Sequence, residues 1–193
     1  MIQSLERAIQ MLLLLAEKDS CSVTELAGLL DVNKSTVSRM ISTLKKFDLV
    51  QMDASKKNYK LGYRILHLGE ALKRNVNVID IARAYLTELS KKLGQSVHLC
   101  TYSNGGVYVV DQVKSDRKYT LNAAIGIQEP LHASSVGKCI LAYRPADVID
   151  RILTNYRFEK FTEKTIIDKE KMLQELATIR KRGYAIDDQE VCL

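Results

Sequence analysis

The side chains with the clearest chemistry lie between Asn33 and Arg64. Eight are basic (Lys34, Arg39, Lys45, Lys46, Lys56, Lys57, Lys60 and Arg64), and only Asp48 and Asp53 oppose them. That local excess of six equals the formal net charge of the whole 193-residue chain, so the remainder is neutral in sum. Positive charge gathered on one small unit is what a phosphate-binding surface requires. Small hydroxyl residues stand among the cations and permit close approach to a DNA backbone or base edge. The expected DNA contacts are Lys34, Ser35, Thr36, Ser38, Arg39, Ser42, Lys45, Lys56 and Lys57. Ser35, Thr36, Ser38 and Arg39 read as base or phosphate readers, since Arg39 can bond guanine or phosphate through two parallel N–H groups. Lys34, Lys45, Lys56 and Lys57 read as phosphate contacts.

The elements that position these residues follow from capping and periodicity. Ser22-Val23-Thr24-Glu25 spells a capping box that opens a short helix, with Leu26, Ala27, Leu29 and Leu30 as its apolar face. Asp31-Val32-Asn33 breaks it. Asn33 can cap a second helix from Lys34 to about Phe47, whose Val37, Met40, Ile41 and Leu44 recur at helical spacing and face inward. Lys34, Ser35, Ser38, Arg39, Ser42 and Lys45 are left outside, with Thr36 near the first turn. Two short helices with a tight junction make a helix-turn-helix whose second member enters the major groove. Val50-Gln51-Met52 and Tyr59-Lys60-Leu61 then flank a polar turn carrying Lys56 and Lys57. That is a hairpin with a basic tip, the wing of a winged helix. A solvated helix pair followed by a charged turn would also be basic. Capping, periodicity, charge location and wing agree only on the DNA-binding reading.

Whole-chain properties set the class. The chain is 46% hydrophobic and 27% charged, as a globular protein of one or two domains would be. No apolar run approaches a membrane span, so no membrane partner is expected. Leu12 to Leu15 belongs to a helix running from Ser4 to Lys18, with Leu5, Ala8, Ile9, Leu12 and Leu15 expected inward. Cys21, Cys100, Cys139 and Cys192 are scattered, with no CxxC pair, which fits reduced thiols and a cytoplasmic location.

Tyr63 to Arg74 is expected to be a helix linking two domains. Its face of Ile65, Leu66, Leu68, Ala71 and Leu72 pairs either with a second copy or within the chain. Asn75-Val76-Asn77 marks a break. Ile79 to Leu93 predicts an amphipathic helix with Ile79, Ala82, Leu86, Leu89 and Leu93 on the core, ended by Gly94. Period-two alternation follows from Val97 to Tyr102, then an Asn104-Gly105-Gly106 turn and a returning strand, Val107 to Val113. Tyr119 to Ile125 is a candidate third strand. Helices are expected at Ser135–Tyr143, Pro145–Leu153 and Asp168–Arg182. In the last, Met172, Leu173, Leu176 and Ile179 should face inward, and Gly183 stops it before an extended Tyr184-Ala185-Ile186. The fold class is α+β. An all-α winged helix-turn-helix with a small β wing (residues 1–62) leads into a linker and dimerisation helix (63–76). An α+β domain with an antiparallel sheet (77–193) follows.

Enzyme signatures do not assemble, and no catalytic residue or cofactor is expected. Ser135-Val136-Gly137-Lys138 matches SxxK, but neither SDN nor KTG accompanies it. Gly137-Lys138 fails as a phosphate loop, because its earlier glycine falls at His132 and Cys139 follows the lysine. His67, His98 and His132 stand apart in sequence. An alternative is a metal- or thiol-responsive sensor, in which His98 and His132 meet with Cys100, Cys139 or a carboxylate.

The sequence resembles the IclR family of bacterial transcription regulators over essentially its whole length. The motifs are Asn33-Lys34-Ser35-Thr36-Val37-Ser38-Arg39, Tyr59-Lys60-Leu61-Gly62, Pro130-Leu131-His132-Ala133-Ser134-Ser135-Val136-Gly137-Lys138 with Ile140-Leu141-Ala142, and Ile179 through Glu190. The resemblance implies a GAF-like effector-binding domain and dimers or tetramers on palindromic operator DNA. It also implies a small organic, sugar or aromatic acid as the signal. Effector contacts carried over by motif are Ala123, Ala124 and Gly126 at a strand end; His132, Ser134, Ser135, Val136 and Gly137 at a helix start; and Asp187 and Glu190 in the acidic segment. Free N–H groups at a helix start suit a carboxylate. Ser134 or Ser135 could equally be an N-cap, and Gly137 a packing site. The family pattern runs on beyond the acidic segment, so the resemblance implies a fragment or a truncated product, short of the sheet's centre and the pocket's far wall.

Overall fold

The computed structural model describes residues 2–53, 57–74, 77–115 and 123–192. The chain divides into two compact units, Met1–Asn77 and Val78–Leu193.

In the first unit, α1 (Gln3–Lys18), α2 (Val23–Leu29) and α3 (Lys34–Lys46) precede a hairpin of β1 (Val50–Asp53) and β2 (Asn58–Leu61), and α4 (Arg64–Arg74) ends it. The capping box forms: Ser22 Oγ accepts from the Glu25 N–H at 3.2 Å, and Glu25 Oε2 accepts from the Ser22 N–H at 2.7 Å. Asn33 Oδ1 accepts from the Thr36 N–H at 2.8 Å and starts α3. One core gathers Met11, Leu15, Cys21, Leu26, Val37, Ile41, Leu44 and Val50. The expected inward face of α1 needs correction. Leu5 and Ile9 are 56% and 51% exposed, while Met11 and Leu15, one turn apart, carry the packing. The apolar side of α1 is wider than its contact with the neighbouring helices. β1 and β2 pair antiparallel, Val50 with Leu61 through Asp53 with Asn58. Cys21 and Tyr59 exchange backbone hydrogen bonds of 2.9 and 2.7 Å, which ties the hairpin back to the segment before α2. No described side chain of α4 is buried; Leu66, Leu68 and Leu72 all stand more than half exposed.

Helix α5 (Asn77–Leu93) leads into the second unit, so Asn77 opens a helix where a break was expected; residues 75 and 76 lie outside the described set. Ile79, Leu86 and Ser90 are its buried positions. Leu89 and Leu93 were expected on that face and are exposed: Leu89 lies round the helix from the buried positions that meet the sheet, and Leu93 shares their side but is the last residue of the helix. An ion pair of 2.9 Å between Arg83 and the buried Asp111 adds to that contact. Strands β3 (Val97–Ser103) and β4 (Gly106–Val113) form a hairpin, turned at Asn104 and Gly105 with φ of 49° and 83°. Positive φ at both central positions is what a tight hairpin of this twist needs, hence Asn-Gly. A bulge sits at Leu99/Cys100.

The third strand, β5, is Gln128–Glu129 against β4. Of the segment expected to form it, residues 119–122 lie outside the described set and Ala123–Ile125 is not a strand. The chain turns there instead: the Ile127 N–H donates to Ala124 O, the Gly126 N–H to Val109 O, and Gly126 runs at φ 89°. It comes alongside β4 only after that turn. Helices α6 (Ser135–Ala142), α7 (Ala146–Thr154) and α8 (Lys169–Arg182) cover one face of the sheet, with a core of Val107, Leu131, Leu141, Ile149, Leu153, Met172, Leu176 and Ile179. Leu173, expected inward, is 41% exposed. Gly183 closes α8 in the left-handed region. Tyr184–Ile186 has no strand partner among the described residues and is held by side chains instead: Arg182 donates to Tyr184 O and Lys138 to Ile186 O.

Candidate functional site

The DNA-facing residues sort by their position around α3. Val37, Ile41 and Leu44 hold the helix to its core. Lys34, Ser35, Ser38, Arg39, Ser42 and Lys45 are exposed, while Thr36 is half-buried. Ser38, Ser42 and Lys45 line one side of a groove of about 400 Å³, with Lys46 and Tyr59, so the wing strand borders α3 directly. Asp48 and Asp53, the two acids of the basic segment, stand within 3.7 Å of Arg64 and 3.9 Å of Lys60 respectively. Lys34, Arg39, Lys45 and Lys46 have no acidic partner among the described residues. Their charge is therefore available to an outside anion. In the free protein Ser35 Oγ donates to Asn33 Oδ1 at 2.8 Å, so a base contact from Ser35 must compete with the helix cap. Lys57 is exposed at the hairpin tip; Lys56 lies outside the described residues. Tyr59, expected only as a wing-strand residue, also lines this groove.

In the second unit the expected effector residues fall in three segments. The Ala124–Ile127 turn is hydrogen-bonded to β4 as above, and the Ala123 N–H lies 3.5 Å from His98 Nε2. Ser134 is the N-cap of α6: its hydroxyl accepts from the Gly137 N–H at 3.0 Å and donates to Pro130 O at 2.8 Å. Ser135 and Val136 follow, half-buried, and their N–H groups have no hydrogen bond among the described residues. Gly137 packs so closely that a Cβ would lie 2.6 Å from Leu131 O and 2.7 Å from Pro130 O. Asp187 Oδ1 accepts from the Glu190 and Val191 N–H groups at 2.8 and 3.3 Å, shaping the acidic segment into a turn.

Sequence reasoning passed over the group that joins two of these segments. Lys138 is 1% exposed; its Nζ donates to Ile186 O at 2.6 Å and pairs with the Glu190 carboxylate. Glu190 is itself buried, and its Oε2 has no hydrogen-bond partner among the described residues. Thr165 Oγ1 donates to Glu190 O and Thr162 Oγ1 to Gln189 O, both at 2.6 Å. The signal in the sequence is the Gly137-Lys138 pair, which does not make a phosphate loop. A lysine in the first turn of an otherwise apolar helix needs an internal carboxylate.

His132 is buried, and both ring nitrogens are engaged, Nδ1 with the Tyr156 hydroxyl at 3.0 Å and Nε2 with Glu159 O at 2.8 Å. Tyr156, Phe158 and Phe161 surround the ring. The metal- or thiol-sensor alternative is not favoured. No described group of three His, Cys, Asp or Glu side chains could hold a metal. Burial pushes the Cys100 thiol up to about 11, which suppresses the reactive thiolate.

A winged helix with unpaired cations on its recognition helix, followed by an α+β unit with a small antiparallel sheet, defines a two-domain DNA-binding regulator. Family models agree on both parts: the IclR helix-turn-helix domain matches residues 4–54, and the bacterial transcriptional regulator IclR C-terminal domain matches residues 70–192. The chain belongs to the IclR family of bacterial transcriptional regulators, a family of DNA-binding proteins and not of enzymes. It is 29% identical over 191 residues to the HTH-type transcriptional regulator XynR of Escherichia coli K12, covering 98% of this chain and 75% of that protein. It is 28% identical to the transcriptional repressor IclR of the same strain, covering 100% and 71%. The solved IclR transcriptional regulator of Alicyclobacillus acidocaldarius superposes with a TM-score of 0.80 at 26% identity, covering 100% of this chain and 78% of that one. No described helix is long and apolar enough to cross a membrane.

Proposed function

We propose that the chain is a ligand-responsive regulator of the cytoplasm that binds palindromic operator DNA as a homodimer or tetramer. The proposed readers are Ser35, Thr36, Ser38 and Arg39. Lys34, Ser42, Lys45, Lys56 and Lys57 hold the backbone. The signal is a small organic, sugar or aromatic acid. Its carboxylate is received by the Ser135 and Val136 N–H groups at the start of α6, beside Ser134 and Gly137. Ala123, Ala124 and Gly126 flank it, and Asp187 and Glu190 face its polar groups. His132 serves the protein interior, since its ring has no free nitrogen.

The observation that carries this reading is the Lys138 clasp, which makes the start of α6 and the acidic turn one mechanical unit. An acid bound at the helix start then acts on both. Exposed Leu66, Leu68 and Leu72 on α4 support pairing of that helix with its copy, so a change in the second unit alters the spacing of two recognition helices.

A thermal-shift screen against organic, sugar and aromatic acids tests the effector reading. A dose-dependent rise for one compound, together with changed DNA retention in a gel shift, supports it. A normal melt that no acid moves refutes it. On the DNA side, Arg39→Ala should weaken binding to a duplex selected from a random pool more than to unselected duplex. Equal losses would reduce Arg39 to a phosphate contact.

A further inference from the structure

We propose that the first two turns of α1 form a second phosphate clamp, on the flank of α3 opposite the wing, with Arg7 as its charged contact and Gln3 and Ser4 as its hydrogen-bonding ones. The inference rests on the DNA-binding reading and extends it to residues outside the helix-turn-helix and wing.

A groove of about 460 Å³ separates α1 from α3, with Gln3, Ser4 and Arg7 on one wall and Thr36, Arg39 and Thr43 on the other. Thr36, Arg39 and Thr43 recur three and four residues apart and share one flank of α3. Ser38, Ser42 and Lys45, which border the wing groove, share the other. The exposed surface of the recognition helix therefore has the wing on one side and the start of α1 on the other. A helix seated in the major groove, about 12 Å wide, has a phosphate strand on each side. The wing reaches one of them, and the α1 wall stands where the other passes.

The charge pattern fits. Gln3 and Arg7 are four residues apart and share a face, while Glu6 falls on the far side of the helix from Met11 and Leu15. Arg7 and Arg39 line the same groove, and neither has an acidic partner among the described residues. Two unpaired guanidinium groups beside one groove create a positive potential that a phosphate relieves.

Phosphate contacts carry no sequence information, so random-sequence duplex is a sufficient probe. Binding of the full chain to labelled random duplex is measured by fluorescence anisotropy across a salt series. For Arg7→Ala the slope of log Kobs against log salt should become shallower by about 0.9, with weaker binding throughout. Arg7→Lys, which keeps a cation on the same stem, should restore the slope. Lys18→Ala removes the same charge from the other end of α1 and should leave the slope at its original value. Should the alanine variant lose cooperative melting, Arg7→Gln keeps the stem and serves the same comparison. An unchanged slope for Arg7→Ala, or an equal change for Lys18→Ala, overturns the clamp while leaving the DNA reading intact. Failure of the unmodified chain to bind any duplex overturns the DNA reading and the clamp with it.

Discussion

Replacing Lys138 by methionine tests the clasp directly. Methionine nearly matches the lysine stem in volume, so the substitution chiefly removes the charge and its donors. What remains is the Glu190 carboxylate, 7% exposed, with its cation gone and its Oε2 already without a partner among the described residues. Stripping one partner from a buried ion pair costs about 3–5 kcal/mol, because the other charge stays desolvated. That range includes the lost bond to Ile186 O. Against a typical domain stability of about 5–15 kcal/mol it is a large share, and it should lower the melting temperature of the second unit by more than about 10 °C. The cost should not add with a second substitution. Lys138→Met combined with Glu190→Leu removes the orphaned charge and should recover most of the loss, since apolar replacement of a whole buried pair is often neutral or stabilising by about 1–4 kcal/mol. Urea unfolding followed by circular dichroism and tyrosine emission reads both variants; the chain has nine tyrosines and no tryptophan. A loss below about 1 kcal/mol for the single variant, or a double variant no more stable than the single one, would refute the charge-pair account.

Gly137→Ala should destabilise the second unit by about 1–3 kcal/mol, because the new methyl meets two backbone carbonyl oxygens that cannot swing away; a thermal melt indistinguishable from the parent would show that the α6 start yields. The capping box makes stability of the first unit pH-dependent. Hydrogen bonds from the Ser22 backbone and side chain hold the Glu25 carboxyl below its ordinary range. Its contribution is therefore present above that range and lost as pH falls through the lowered value. Ser22→Ala should cost about 1 kcal/mol at neutral pH, while Glu25→Gln, which removes the titrating carboxylate, should flatten the acid limb of the stability curve, so parallel acid limbs for parent and Glu25→Gln would contradict the assignment.

Much of the first unit was legible in sequence because its determinants are local. A cap acts over three residues, as Ser22 with Glu25 and Asn33 with Thr36 do, and helical periodicity sorted Val37, Ile41 and Leu44 from Ser38, Arg39 and Ser42. The Asn104-Gly105 turn was legible for the same reason, since its backbone angles depend on those two residues. Width of burial was not. Leu5, Ile9, Leu89, Leu93 and Leu173 are apolar at helical spacing yet exposed, because neighbouring elements decide how much of an apolar side they cover. The third strand moved to Gln128–Glu129 because the turn held by Gly126 and Val109, a contact seventeen residues apart in sequence, delays pairing. Sequence alone determined the DNA-binding head, its cations and its caps. Only the tertiary structure decided that Lys138 meets Glu190 across fifty-two residues, because a buried charge declares its partner only when the chain brings the two together.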